Sequence, residues 1–258
     1  MAVEFGCSNP SLWREALSAY ESRIESLNKS NLVSLDDYYR NHLPPLLRQR
    51  NPNPFITTSE LSQLMRWKLA RGKWRPRLLD FVSALDEDLV KSASRKAFKS
   101  LPDISKAVSE LTVLKGVGPA TASAILAAYA PDLAPFMSDE AMEAALGNSK
   151  DYTAKQYLLF ANKLQTKAKV PAIVDELIDL FYKIPFIIKN YKNVNAIDHQ
   201  MEDNMQELSS EEATFTPSDV ERALWSSVVG TKLLSSKPST EHKTQTTTSK
   251  SSRGKRKR

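Results

Sequence analysis

No segment of useful length in this sequence alternates apolar and polar residues, and that alone argues against a sheet fold before any motif is considered. What recurs is helical spacing, set between recognisable helix starts and stops. Asn9-Pro10 supplies an N-cap and a first-turn proline, and Leu12, Ala16, Ala19, Tyr20, Ile24 and Leu27 follow on one face. A second short helix is expected over 35–42, ended by Pro44-Pro45, with Asn51-Pro52-Asn53-Pro54 as a stiff loop. Thr57 and Glu60 have the spacing of a capping box ahead of Leu61, Leu64, Met65 and Leu69. Pro76 opens a helix to residue 85, Asp86-Glu87-Asp88 open another to about residue 98, and Leu101-Pro102-Asp103 cap the next. Further helices are expected over 154–167, over 171–182 with Ile173, Leu177, Ile178 and Phe181 on one side, and over 220–229 with Leu224 and Trp225. The expectation is an all-α fold of about ten helices without a fixed repeat.

The net charge of +6 is misleading until it is located. Residues 232–258 hold nine Lys/Arg against Glu241, so residues 1–231 carry 27 basic and 29 acidic side chains. Overall charge therefore assigns phosphate affinity to the tail and says nothing about the body. The tail is Ser/Thr/Lys-rich from residue 235 and cannot bury enough to order itself. Its end, with Arg253, Lys255, Arg256, Lys257 and Arg258, is a basic cluster of the kind read by nuclear import receptors and able to hold DNA non-specifically. A nuclear location is expected, and phosphorylation of the Ser/Thr run would reduce the tail's charge. The organisation expected is a helical domain over 1–189, a polar linker or loop over 190–213, a helix over 214–234 packing back on the domain, and a disordered basic tail over 235–258.

The weakly charged stretch 114–137 is broken by glycine and by Pro119, Pro131 and Pro135, so no membrane span is expected there. The opening MAVEFGCSNP lacks the basic region and apolar core of a secretory signal. Cys7 is the one cysteine, and His42, His199 and His242 lie in separate segments, so neither a disulfide nor a metal or other cofactor is expected.

One basic patch lies within the body. Arg66, Lys68, Arg71, Lys73, Arg75 and Arg77 interleave with Trp67 and Trp74 over twelve residues without an acid. Lys/Arg neutralise phosphate and indole faces stack on bases, so a strand-tracking surface is one reading. Two core tryptophans with solvated charges between them is the other.

Residues 104–146 carry the sharpest signal. Lys115-Gly116-Val117-Gly118-Pro119-Ala120 joins two apolar helical patterns and uses two of the seven glycines. Such a turn exposes consecutive N–H groups at the positive end of the next helix, so a phosphate can sit there without a basic side chain. A tight ligand-free αα-hairpin is the alternative.

Leu111, Leu114, Gly116, Val117, Gly118, Thr121, Ala122, Ile125 and Leu126 resemble the helix-hairpin-helix of the DNA glycosylase superfamily, L-x-x-L-P-G-V-G-x-x-T-A. The resemblance implies a two-lobed multi-helix fold with this hairpin at its centre, and DNA backbone held by Lys115, Gly116, Val117, Gly118, Ala120 and Thr121. It also implies a catalytic aspartate about twenty residues on. Asp139, preceded by Pro135-Phe136-Met137-Ser138, stands twenty-one residues beyond Gly118. A carboxylate there stabilises the cationic sugar formed as an N-glycosidic bond breaks, once the base is flipped out of the duplex. Ser138 and Asp139 also suit the plain start of a helix. Ala120 replaces the Schiff-base lysine of lyase-competent relatives, Lys115 the usual proline, and Glu140-Ala141-Met142 the common threonine-histidine continuation. The expected function is a monofunctional DNA glycosylase; the alternatives are a non-catalytic nuclear DNA-binding or adaptor protein that retains the fold, and a protein-binding scaffold.

Overall fold

The computed structural model describes residues 3–147, 151–169 and 215–235, and every regular element among them is helical. In chain order these are α1 (Pro10–Ser18), α2 (Tyr20–Ser26), α3 (Leu32–Asp37), a π-helical turn (Tyr38–His42), α4 (Leu43–Gln49), α5 (Thr58–Arg71) and α6 (Pro76–Ser83). There follow α7 (Glu87–Ser100), α8 (Ile104–Thr112), α9 (Pro119–Tyr129), α10 (Asp139–Leu146), α11 (residues 154–169) and α12 (Pro217–Ser235). The helix expected over 171–182, the linker over 190–213 and the tail beyond Ser235 lie outside the described residues.

The starts follow the capping chemistry read from the sequence. Asn9 accepts the Ser11 amide, Thr57 and Glu60 form the reciprocal box, and Asp86 and Asp103 accept the amides of Leu89 and Lys106. Pro44-Pro45 behave differently from the expectation: they begin α4 instead of ending a helix. Proline has no N–H and its ring crowds the carbonyl four residues back, so the backbone widens beforehand and the Leu43 amide donates to the Tyr38 carbonyl. The chain then continues as one rod from Leu32 to Gln49.

The core forms around α5 and α9. Leu61, Leu64, Met65, Trp67 and Leu69 of α5 are buried. All eight residues from Thr121 to Ala128 are buried too, so α9 runs through the interior, in contact with α4, α5 and α8. The C-terminal helix α12 packs on α1, α2 and α10.

A buried polar network ties α12 to the centre. Arg71 forms an ion pair with Glu221 at 3.0 Å, and Ser138 donates its hydroxyl to the same carboxylate. The Arg71 guanidinium lies 4.4 Å from the Trp225 ring centre and 5.2 Å from that of Phe136. Arg71 therefore belongs to the core and offers nothing to a strand-tracking surface. The reason is its register: it falls seven residues after Leu64 and four after Trp67, on the inward stripe of α5. Trp67 is a core anchor as well, stacked on Tyr39 with ring centres 3.5 Å apart and its indole N–H donated to Asp36. Trp74, in contrast, is 66% exposed.

Candidate functional site

The glycine turn sits between α8 and α9, and the two glycines do different jobs. Gly116 has φ +87°, and a Cβ there would stand 2.8 Å from the Phe81 Cβ on α6. It is glycine because α6 leaves no room and because L side chains avoid that conformation. Gly118 is extended, exposed and has nothing within 4 Å of an added Cβ. Its openness leaves the backbone approachable. The run of free amides is broken. Val117 donates to the Leu114 carbonyl and Pro119 has no N–H, which leaves the consecutive amides of Lys115 and Gly116, and those of Gly118 and Ala120, without an acceptor among the described residues.

Asp139 opens α10 one residue after its N-cap, since Ser138 accepts the Ala141 amide at 3.4 Å. The capping reading holds for Ser138, while the Asp139 carboxylate points elsewhere. Its Oδ1 accepts the Tyr152 hydroxyl at 2.7 Å and its Oδ2 pairs with the Lys73 ammonium at 3.1 Å. Burial pushes this carboxyl up, but Tyr152, Lys73 and the charge of Arg75 together hold it below the ordinary aspartate value. It is anionic at neutral pH. Its side chain is 35% exposed and that of Lys73 57%, so the ion pair is worth about 0–1 kcal/mol and exchanges readily for another partner.

One cleft of about 230 Å³ joins these groups. Gly116, Gly118, Ala120 and Thr121 line one wall, Lys68, Lys73 and Arg75 a second, and Asp139, Glu140 and Tyr152 a third. A second cavity of about 340 Å³ shares Lys73, Asp139 and Glu140 and is also lined by Lys29 and Lys232. The cleft thus has a cationic wall, free backbone donors and two partly exposed carboxylates, Asp139 and Glu140. The body's near-neutral charge conceals this concentration.

The loop carrying Asp139 is fastened from behind. The Ser123 hydroxyl accepts the Met137 amide at 3.0 Å and donates to the Ala120 carbonyl at 3.0 Å. Ser138 is held by Glu221, itself held by Arg71. Asp139 is therefore referenced both to α9 and to α12.

The other sequence-derived candidates distribute unevenly. Val117 is buried and points into the helix pair. Lys115 is exposed, with its ammonium 4.7 Å from the Phe81 ring centre. Arg66 is exposed, donates to Gln63 at 3.2 Å and does not line the cleft. Tyr38, Tyr39 and Tyr129 do not line it either; Tyr129 stacks on Phe98. Tyr152, Ser123 and Glu221 escaped the sequence reading. Tyr152 lies two residues ahead of α11, and only the tertiary fold pairs it with Asp139.

Among the described residues no group of three or more His, Cys, Asp or Glu could hold a metal ion, and no helix is long and apolar enough to cross a membrane. No family model, curated protein or solved structure matches the chain.

Proposed function

We propose that this is a nuclear DNA-binding protein in which α8, the glycine turn and α9 serve as a helix-hairpin-helix, at the cleft of a two-lobed body. The observation that carries the reading is a shared cleft: Gly116, Gly118 and Ala120, whose amides have no acceptor among the described residues, line the same space as Asp139. Backbone donors at the start of α9 suit a phosphate, and Lys73 and Arg75 add charge at its rim. With DNA held there, the Asp139 carboxylate sits on the strand side, able to stabilise an oxocarbenium-like sugar as a base departs. The chain acts in this reading as a monofunctional glycosylase, since Ala120 supplies no nucleophile from the turn. The basic cluster Arg253 to Arg258 supplies the import signal.

The test is release of free base from duplexes carrying a panel of damaged or mismatched bases. Asp139→Asn abolishes release while leaving duplex affinity within about twofold. No release from any substrate at micromolar protein overturns the enzymatic reading. One observation favours the non-catalytic alternative: both Asp139 oxygens are engaged by Tyr152 and Lys73. In that case the chain binds DNA through the turn as an adaptor, and wild type and Asp139→Asn bind duplex alike with no base released by either.

A further inference from the structure

A cavity of about 360 Å³, in the size range of small-molecule sites, shares only Arg71 and Phe136 with the cleft. Its other walls come from the rod Leu32–Gln49, the end of α9 and the start of α12. Arg40, Pro44 and Arg48 follow at four-residue spacing along the rod and share the face turned to it. Arg40 lies in the π-helical turn ahead of the two prolines, and such turns often occur at functional sites. Four guanidiniums, those of Arg40, Arg48, Arg71 and Arg222, line the cavity against two carboxylates, Asp219 and Glu221, an excess of two positive charges. Arg222 pairs with Asp219 and Arg71 with Glu221, so Arg40 and Arg48 are the excess. Neither has a hydrogen bond or ion pair among the described residues, and the Arg40 guanidinium lies 4.5 Å from the Tyr20 ring centre. Asp36 accepts from Tyr20 and Trp67 behind the wall and does not line the cavity. Among the described residues five buried side-chain polar atoms lack a hydrogen-bond partner, and two of them, Nη1 of Arg40 and Nε of Arg71, belong to guanidiniums of this cavity. Donors of this kind are costly to leave unmade. Ala127, Pro131 and Phe136 give the same space an apolar wall.

We propose that this cavity binds a phosphate monoester with an apolar body, its phosphoryl oxygens on Arg40 and Arg48 and its body on the apolar wall. The guanidinium fork matches phosphate oxygens and pairs with them bidentately. A monoester carries about −1.5 to −2 charge at pH 7, which balances the excess. A sulfate ester, a carboxylate or a backbone diester of DNA carries a single charge and leaves one guanidinium uncompensated. The site stands apart from the DNA reading, since neither the turn amides nor Asp139 line it.

The experiment titrates the full chain with phenyl phosphate by isothermal calorimetry. Phenyl sulfate, which lacks the second charge, inorganic phosphate, which lacks the ring, and phenol, which lacks the anion, are run beside it. The expected result is one saturable site for phenyl phosphate, at least tenfold tighter than for phenyl sulfate or inorganic phosphate, and no binding of phenol. Arg40→Met and Arg48→Met each weaken it at least tenfold, while Lys106→Met, at an exposed lysine of α8 outside the cavity, leaves it unchanged. Arg48 is exposed, so its loss does not threaten the fold; circular dichroism and thermal melting establish that Arg40→Met is folded. Affinity for phenyl phosphate rises from pH 5 to 7, as the monoester takes its second charge near about pH 6, and affinity for phenyl sulfate does not. Glu221, whose carboxyl burial pushes up, would give the opposite trend, because its ionisation adds negative charge to the cavity. A flat profile, equal binding of the sulfate, or wild-type binding by Arg48→Met overturns the proposal. Inorganic phosphate bound as tightly as phenyl phosphate removes the apolar body and overturns it too. Displacement of phenyl phosphate by a short duplex places the anion in the DNA cleft and likewise overturns it.

Discussion

Ser123 and Met137 are joined by a 3.0 Å hydrogen bond from the Met137 amide to the Ser123 hydroxyl, and this bond sets the distance between the glycine turn and Asp139. Ser123→Ala leaves a buried N–H unpaired, which costs about 1–3 kcal/mol. Urea unfolding is expected to show that loss. A variant as stable as wild type would mean the loop has another anchor.

The two glycines are separable. Gly116→Ala places a methyl 2.8 Å from Phe81 Cβ in a left-handed conformation, and is expected to destabilise by about 1–3 kcal/mol. A Cβ at Gly118 meets no neighbour, so Gly118→Val is expected to cost only the loss of a favoured N-cap residue of α9, about 1 kcal/mol. Its branched side chain covers the amide approach, so duplex affinity falls at least fivefold in anisotropy at low salt. Unchanged affinity in folded Gly118→Val would place the DNA contact elsewhere.

Trp67 and Trp74 stand seven residues apart in one basic run and meet opposite fates. Trp67→Ala empties a stacked, hydrogen-bonded core position and costs about 3–5 kcal/mol. Trp74→Ala removes an exposed ring flanked by two cleft cations, leaving stability unchanged while weakening single-stranded DNA binding by the stacking contribution of about 1–3 kcal/mol. Equal DNA affinity with and without the Trp74 ring would show that it takes no part.

These cases mark where the sequence is informative. The helix starts at Asn9, Thr57, Asp86 and Asp103 are legible because a cap and the amides it satisfies are two or three residues apart. Pro44-Pro45 misled because proline suits a first turn as well as it stops a last one. Arg71 looked like surface charge by residue type, though its register with Leu64 and Trp67 already put it on the buried stripe. The partner that makes its burial tolerable, Glu221, lies 150 residues away. The cleft has the same character: turn and carboxylate are near in sequence, while Lys68 comes from α5 and Tyr152 from the loop just before α11, and they meet only through tertiary packing.

Tyr152 governs the acid side of Asp139. Its hydroxyl and Lys73 hold the carboxyl below the ordinary value against the upward push of burial. A carboxyl lowered on folding contributes stability that is present above its unfolded pKa of about 4 and lost as pH falls through the lower folded value. Tyr152→Phe removes one donor and keeps the burial, so the Asp139 titration, followed by carboxyl-carbon NMR, is expected to move upward. A titration that stays in place would mean Lys73 alone sets it.

Lys68 predicts a pH dependence of the opposite sense to ordinary alkaline unfolding. The folded amine titrates near 8 and the unfolded one near 10.5, so between these values the unfolded chain binds a proton that the folded chain lacks. Unfolding then takes up protons, and stability from this group rises with pH across the window. The cost of burying the ammonium is fully present below 8 and relieved by 10.5. Tyrosines titrate in both proteins, so the free-energy difference between wild type and Lys68→Met isolates the effect. From pH 7 to 10.5 wild type should gain about 1–3 kcal/mol on the variant in urea unfolding, the partial exposure of the side chain keeping the figure below the full linkage value. A flat difference would show that Lys68 keeps an ordinary ammonium in the folded chain.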